Sequence, residues 1–315
     1  MKLADLPLDE LRRRLHQPGL FFRIEPFCVH LHSNLADFPP VLRRLYADYQ
    51  ICETASFADF HISLDRSKGW LRWWRPQVQF WVDNEIPFAP FPADTALPFL
   101  EWGLNWCVGQ RVHHLLLLHS GALEKNGQAV LLPAWPGSGK STLCAALNYR
   151  GWRLLSDEFA LVRPADLAII PFPRPIPLKN ESIAVIRAFA PEAIMGPEFP
   201  KTRKGTVAHV RPPRDSVIRS QEPARARWII FPHFEANAAL SLKTLPKERA
   251  FLKLAGNSFN YELIGLRGFE TVSGLIDSCD CYLLTYSDLE QAITRLNALA
   301  AGELTRTDIL EFAEE

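Results

Sequence analysis

Residues 129–141 read Ala129-Val130-Leu131-Leu132-Pro133-Ala134-Trp135-Pro136-Gly137-Ser138-Gly139-Lys140-Ser141, an apolar run that passes into a glycine-rich segment ending on lysine and serine. Ala129–Leu132 suits a buried strand. Gly137 and Gly139 permit backbone paths closed to other residues. A helix is expected from about Lys140 to Tyr149, stopped at Arg150-Gly151. Strand, tight loop and helix in this order turn backbone N–H groups and a helix amino terminus toward one point, which favours negative charge. The stretch matches the phosphate loop G-x-x-x-x-G-K-[ST] except at its first position, where Ala134 replaces glycine. In such a loop Lys140 would face the β- and γ-phosphates and the Ser141 hydroxyl would hold Mg²⁺. The expected ligands are therefore ATP and Mg²⁺, with Ala134, Trp135, Pro136, Gly137, Ser138, Gly139, Lys140, Ser141 and Thr142 lining the nucleotide.

Upstream, the apolar run Leu115–Leu118 ends at His119, and Lys125-Asn126-Gly127 marks a turn into the loop strand. Downstream of the helix a strand is expected at Trp152–Leu155, giving a βαβ-type beginning to an α/β domain. Asp157-Glu158 follows that strand directly. Open α/β sheets place ligand chemistry at carboxyl ends of strands, and phosphoryl transfer needs one carboxylate for the acceptor's proton and others for the metal. Two basic segments lie further on, Lys201-Thr202-Arg203-Lys204-Gly205-Thr206 and Arg211-Pro212-Pro213-Arg214, and either could clamp a triphosphate or an acidic partner. A solvated loop accounts for them equally well.

The first hundred residues read differently. Apolar residues at 3, 6, 8, 11 and 15 suit one short amphipathic helix ended by Pro18-Gly19. Residues 20–32 and 57–64 suit strands, with a helical candidate at Val41–Tyr49 between them. Residues 69–83 hold four tryptophans among polar residues, which fits two strands broken near Arg75-Pro76, packed on a small core or gripping a peptide with an exposed face. Asp83–Pro87 is a turn, and a helix is expected from Leu100 to about Gln110. At 315 residues the chain is long enough for two unequal domains, set at 1–110 (mixed α+β, a place for substrate or partner) and 111–315 (catalytic).

Lys plus Arg and Asp plus Glu balance at 35 each, so no overall field draws the chain to nucleic acid or anionic lipid. The amino terminus lacks the pattern of a signal peptide, and no stretch approaches the ~18 apolar residues of a membrane span. The six cysteines at 28, 52, 107, 144, 279 and 281 fall in neither disulfide nor zinc spacing, which predicts a cytoplasmic protein with free thiols.

Taken in order, His119, Gly137, Gly139, Lys140, Ser141, Arg150-Gly151-Trp152-Arg153-Leu154 and Asp157-Glu158 follow the pattern H…G-x-x-G-x-G-K-S…R-G-x-R-L-x-x-D-D. In this, residues from about 113 to 290 resemble the catalytic domain of HPr kinase/phosphorylase, which implies a P-loop kinase domain of the HPr kinase/PEP carboxykinase-like type. The resemblance implies Asp157 as base on a seryl hydroxyl, Lys140 on the phosphates, His119 in support, and Glu158, in place of the second aspartate, on the metal. It also implies Glu181, in Leu178-Lys179-Asn180-Glu181, as a further metal-side acid and Arg211 as a nucleotide-side arginine. The stretches EWGLNWC (101–107), LLLLHSGALE (115–124), GWRLLSDE (151–158), LKNESI (178–183), KGTVAHVRPP (204–213) and NSFNY (257–261) resemble the subgroup called HprK-related kinase A. That subgroup implies an acceptor that is a peptide or small protein, in a system with a PqqD-like peptide-binding protein; the relatives are also homo-oligomers. Two alternatives stand beside serine phosphorylation: a kinase for a small metabolite, and a nucleotide-gated peptide-binding module with weak ATPase activity.

Overall fold

The structure, a computed structural model, describes residues 1–52, 57–67, 74, 76–305 and 307–312. Its first helix, α1 (Leu8–His16), carries Asp9 and Glu10 in its first turn and Arg13, Arg14 and His16 in its last, a distribution that complements the helix dipole. Leu11 and Leu15 bury its inner face. The single helix expected from Leu3 does not form. Pro7 holds Leu6 in an extended conformation, and Leu3–Asp5 makes a separate 3₁₀ turn.

Strands β1 (Leu20–Ile24) and β2 (Phe27–Ser33) form an antiparallel hairpin. Helix α2 (Phe38–Leu45) starts three residues before the expected Val41, because prolines at its first positions lose no hydrogen bond there. It leads to β3 (Phe60–Arg66), parallel to β2, and then to the antiparallel strands β4 (Gln77–Val82) and β5 (Phe91–Pro92). The sheet order is β1-β2-β3-β4-β5. Of the two strands expected at 69–83, the second is β4, while 69–73 and 75 lie outside the described residues. Helix α3 (Ala96–Arg111) packs on β4, and a Cβ on Gly103 would stand 1.9 Å from the Phe80 ring. It begins four residues before the expected Leu100, taking Pro98 into its first turn, where no N–H is required.

Next come β6 (Leu116–Lys125), β7 (Gln128–Pro133), α4 (Lys140–Asn148), β8 (Arg153–Ser156), β9 (Phe159–Val162) and β10 (Ala168–Ile170). Strand β11 (Ile176–Lys179), helix α5 (Glu181–Phe189) and strands β12 (Phe199–Thr202) and β13 (Gly205–Val210) follow, then the short helix α6 (Arg214–Ile218). The chain ends through β14 (Ala224–Phe234), β15 (Ser241–Thr244), α7 (Lys247–Gly256), α8 (Leu266–Ser278), β16 (Asp280–Tyr286) and α9 (Leu289–Ala301). The molecule is thus a mixed α/β protein. Among the described residues no helix is long and apolar enough to cross a membrane.

The chain divides into two compact units, and not at a single cut. The first comprises Met1–Arg111, Arg174–Arg187 and Pro191–Ile218; the second comprises Val112–Pro173, Ala188–Ala190 and Arg219–Glu315. The break after Arg111 lies one residue from the boundary expected at 110/111, but most of 174–218 belongs to the first unit rather than to a continuous 111–315 domain. There β11, β13 and β12 make a small antiparallel sheet. It is tied to residues of the amino-terminal stretch: Arg174 pairs with Glu101 at 3.1 Å, Arg44 donates to the Met195 carbonyl at 2.6 Å, and Arg211 pairs with Asp48.

The second unit is built on the sheet order β10-β9-β6-β7-β14-β16-β15, with β8 also on β6. Strand β14 is parallel to both β7 and β16, whereas β6 is antiparallel to β7, β8 and β9. The β7–α4–β8 connection is therefore a crossover between two parallel strands with β6 lying between them. Its core, Leu116, Leu118, Leu131, Leu155, Val162, Ile229, Leu254 and Val272 among others, is fully or almost fully buried.

Candidate functional site

Strand β7 delivers the chain to Ala134, and the turn that follows closes with Ser138 N–H donating to the Trp135 carbonyl at 3.3 Å. Gly137 (φ 91°) and Gly139 (φ 84°) both take left-handed conformations. Gly139 is the residue on which α4 starts, and the Leu143 N–H donates to its carbonyl at 2.9 Å. Two neighbours hold the loop from outside: Phe234 N–H donates to the Ser138 carbonyl at 3.0 Å, and the Tyr286 hydroxyl donates to the Gly139 carbonyl at 3.2 Å. The first N–H groups of α4 have no acceptor within the helix and face outward from its positive end.

Helix α4 crosses β6 at Gly121, where an added Cβ would stand 2.3 Å from the Cys144 sulfur. This close approach carries Lys140 over β6 toward β8. Register continues from Ala122↔Ser156 to His119↔Phe159, so β8 and β9 form one line along β6, interrupted at Asp157-Glu158 opposite Ser120-Gly121. The acid pair therefore occupies a break within a strand line, not the free carboxyl end that the sequence predicts, and β9 resumes directly after it. The interruption frees both acids from ladder pairing.

Within this gap Lys140 Nζ lies 3.0 Å from Asp157 Oδ1 and also donates to the Asp157 carbonyl. Lys140 and Asp157 are 7% and 5% exposed, so the pair is nearly dry. Burial lowers the lysine pKa, but the charges of Asp157 and then Glu158 outweigh it and raise the value above that of an ordinary lysine. At 3.0 Å the attraction is on the order of 5 kcal/mol at an effective dielectric of ~20, before desolvation is subtracted. Two nearby polar atoms, Asp157 Oδ2 and Ser138 Oγ, are buried without a hydrogen-bond partner. Unfilled acceptors of this kind are uncommon and mark places where a further donor or ligand belongs. The Cys144 thiol is pushed far up by burial and by the neighbouring Asp157 carboxylate, which leaves it an inert, protonated wall.

Glu158 and His119 flank the pair. Their Oε2 and Nε2 atoms are 4.0 Å apart, each side chain being 23% exposed. The His119 ring packs edge-on against Phe259 at 5.6 Å, and Phe259 packs against Phe159 at 4.5 Å. Residues 257–260 hold this corner: the His119 N–H donates to the Asn257 carbonyl at 2.6 Å, and the Asn260 side chain spans β6 by accepting from Leu117 N–H (2.9 Å) and donating to the Leu115 carbonyl (2.8 Å). In the sequence Phe259 and Asn260 stand out only within the stretch NSFNY (257–261). Their function depends on partners about 140 positions away, so no local signal could assign it.

The structure thus brings Ala134–Thr142, Lys140, Asp157, Glu158 and His119 together in the second unit. Trp135 is 65% exposed on the outer lip of the loop. Glu181 and Arg211 belong to the first unit, where Arg211 is ion-paired with Asp48 and Glu181 is the exposed first residue of α5. The basic segment at 201–206 is also in the first unit, with Arg203 over the Phe91 ring at 5.5 Å and Lys204 over Trp102 at 5.5 Å. Among the described residues no group of three or more His, Cys, Asp or Glu is arranged to hold a metal ion. Comparison with protein-family models and with curated proteins returns no match to the chain.

Proposed function

We propose that the second unit is an ATP-dependent phosphotransferase related to HPr kinase, acting on a serine hydroxyl of a peptide or small protein. The observation that carries this reading is the Lys140–Asp157 contact at the amino terminus of α4, with Asp157 Oδ2 left unfilled. A lysine held at the mouth of a phosphate-sized loop, and a buried carboxylate beside it, are the two groups that phosphoryl transfer requires of a protein.

Two features of the loop support a triphosphate as its ligand. A Cβ on Gly137 would meet nothing within 4 Å, so there is room beside its backbone, and the buried Ser138 Oγ has a hydrogen bond still to make. In this reading the phosphate oxygens take the N–H groups of the loop and of the first turn of α4, and Lys140 turns from Asp157 to them. Asp157 is then released to accept the acceptor's proton. The seryl oxygen forms a bond to the γ-phosphorus, the bond from that phosphorus to the β,γ-bridging oxygen breaks, the proton passes to Asp157, and ADP leaves. Mg²⁺, when bound, would neutralise phosphate charge, and in this reading Ser141 and Glu158 would hold it. His119 would orient Glu158.

The test is transfer of label from γ-labelled ATP to serine-containing peptides, with nucleotide binding measured separately. Asp157→Asn is expected to reduce transfer at least ~10²-fold while ATP still binds, as is usual for loss of a positioned base. Lys140→Ala should lose both. Transfer by Asp157→Asn at the wild-type rate would sink the assignment; label appearing only on free serine or sugars would move the enzyme to the small-metabolite class. ATP-dependent partner capture that survives Asp157→Asn without any transfer would make the unit a nucleotide-gated binding module.

A further inference from the structure

In the first unit β2 from Val29 onward, β3 as far as Asp65, and β4 alternate between buried and less buried residues. Val29, Leu31, Phe60, Ile62, Leu64, Val78, Phe80 and Val82 are buried on one face, which places His30, His32, His61, Ser63, Asp65 and Trp81 together on the other. Cross-strand register sets His30 beside His61, and Ser63 between His32 and Trp81. A cavity of ≈ 440 Å³ opens on this face, lined by His30, His61, Ser63, Asp65, Trp81 and Asp83.

The hydrogen bonds fix what the cavity presents. His30 Nε2 lies 3.1 Å from the Pro18 carbonyl, and a carbonyl only accepts, so Nε2 carries the proton. Gly19 makes this approach possible, since a Cβ there would stand 2.0 Å from His30 Nε2. Burial holds His30 toward its neutral form, more than the Pro18 contact opposes it. Its Nδ1 is then an acceptor, and the His61 Nδ1 at 3.0 Å must be the donor. In a neutral His61 ring Nε2 is then a lone pair, and the residue is exposed. Asp83 is committed, one oxygen to Arg111 and the other to the His61 backbone N–H at 3.3 Å. Asp65 is not. Its Oδ1 is buried and accepts no hydrogen bond, although His32 Nδ1 lies 3.2 Å away. Trp81, 36% exposed, supplies an aromatic surface across from Ser63.

The cavity therefore presents a carboxylate, an imidazole, a hydroxyl and an indole, and none of the six lining residues named here is a lysine or arginine. A planar cation with several N–H donors matches all four: it stacks on an indole and forks onto a carboxylate, as an ammonium does less well. Because His61, Trp81 and Asp83 are exposed, the cavity would enclose a side chain rather than bury a free molecule on most sides. We propose that this face of the first unit binds the guanidinium of an arginine side chain on a partner polypeptide. The proposal stands independently of the phosphotransfer reading.

Calorimetric titration of the full chain tests it with three probes: the blocked peptide Ala-Ala-Arg-Ala-Ala, the same peptide with citrulline for arginine, and agmatine. Saturable binding of the arginine peptide is expected, at least ten-fold weaker for the citrulline peptide and for agmatine. Asp65→Asn should weaken the arginine peptide at least ten-fold and Trp81→Leu several-fold, with unchanged far-ultraviolet circular dichroism in both. No saturation by the arginine peptide, equal binding of the citrulline peptide, or full affinity in both variants overturns the site. Agmatine binding as well as the peptide overturns the polypeptide partner in favour of a free amine.

Discussion

At Gly139 a methyl group has no room. An added Cβ would lie 2.5 Å from the Tyr286 hydroxyl and 2.8 Å from the Phe234 Cβ, at a φ of 84°. At Gly137 the φ is similar, 91°, but nothing lies within 4 Å. The two substitutions therefore separate backbone strain from steric conflict. Gly137→Ala should cost about 1–2 kcal/mol, the left-handed penalty alone, whereas Gly139→Ala should cost visibly more and shift the start of α4. Urea unfolding of both variants beside the wild type checks this; equal midpoints would show that the Tyr286–Phe234 brace is not rigid. Much at this scale was legible in the sequence. The two glycines, Lys140 and the acid pair are read from residue type and spacing, because the loop's chemistry is local. The direct Lys140–Asp157 contact was not, since it depends on α4 crossing β6 over Gly121.

Strand β6 organises the second unit, and its far end holds a buried ion pair. Arg153 Nε donates to Glu124 Oε2 at 2.7 Å, while the same guanidinium donates to the Arg219 and Glu222 carbonyls at 2.7 and 3.0 Å. Their side chains are 4% and 6% exposed. Burial alone would raise the Glu124 pKa, but hydrogen bonds from Arg153 and the Gly127 N–H bring it below the ordinary 4.5. The sign follows: a carboxyl with a depressed folded value contributes stability above its unfolded value and loses it as pH falls through the folded one. Glu124→Gln leaves Arg153 with a neutral partner and should cost ~3–5 kcal/mol at neutral pH. Its stability should also fall less steeply on acidification below pH 4.5 than that of the wild type. Thermal melting of both proteins between neutral pH and the acid limb reads the difference, and parallel curves would refute it. Elements were legible where turn chemistry is strong, as at Asn126-Gly127, both at positive φ between β6 and β7. The interruption at Asp157-Glu158 was not, because β9 is set by pairing with β6 forty residues upstream rather than by its own pattern.

The whole chain interleaves its two units. Residues 174–187 and 191–218 leave the second to complete the first, where Arg174 meets Glu101 and the Tyr46 hydroxyl donates to the same carboxylate. Prolines at 171, 173, 175 and 177 punctuate the entry to this excursion, but nothing local says which unit it joins, and the sequence places it with the residues around it. Its hold on the first unit is strong. Glu101 and Arg174 are 7% and 6% exposed, and parting such a pair costs ~3–5 kcal/mol because each charge stays buried without its partner. Asp48, 8% exposed, would lose Arg211 in the same cut. Severing the chain after Arg111 should therefore give two pieces that are each defective. The 1–111 fragment lacks the arginines that answer Glu101 and Asp48, keeping only Lys2 at 3.7 Å from Asp48; the 112–315 fragment carries β11, β12 and β13 without the stretch they are tied to. Each expressed alone is expected to aggregate or to melt without a cooperative transition, and the two expressed together should co-purify as a complex. A soluble 112–315 fragment that unfolds cooperatively by itself would show instead that the 174–218 excursion folds with the second unit, and that the first unit ends at Arg111.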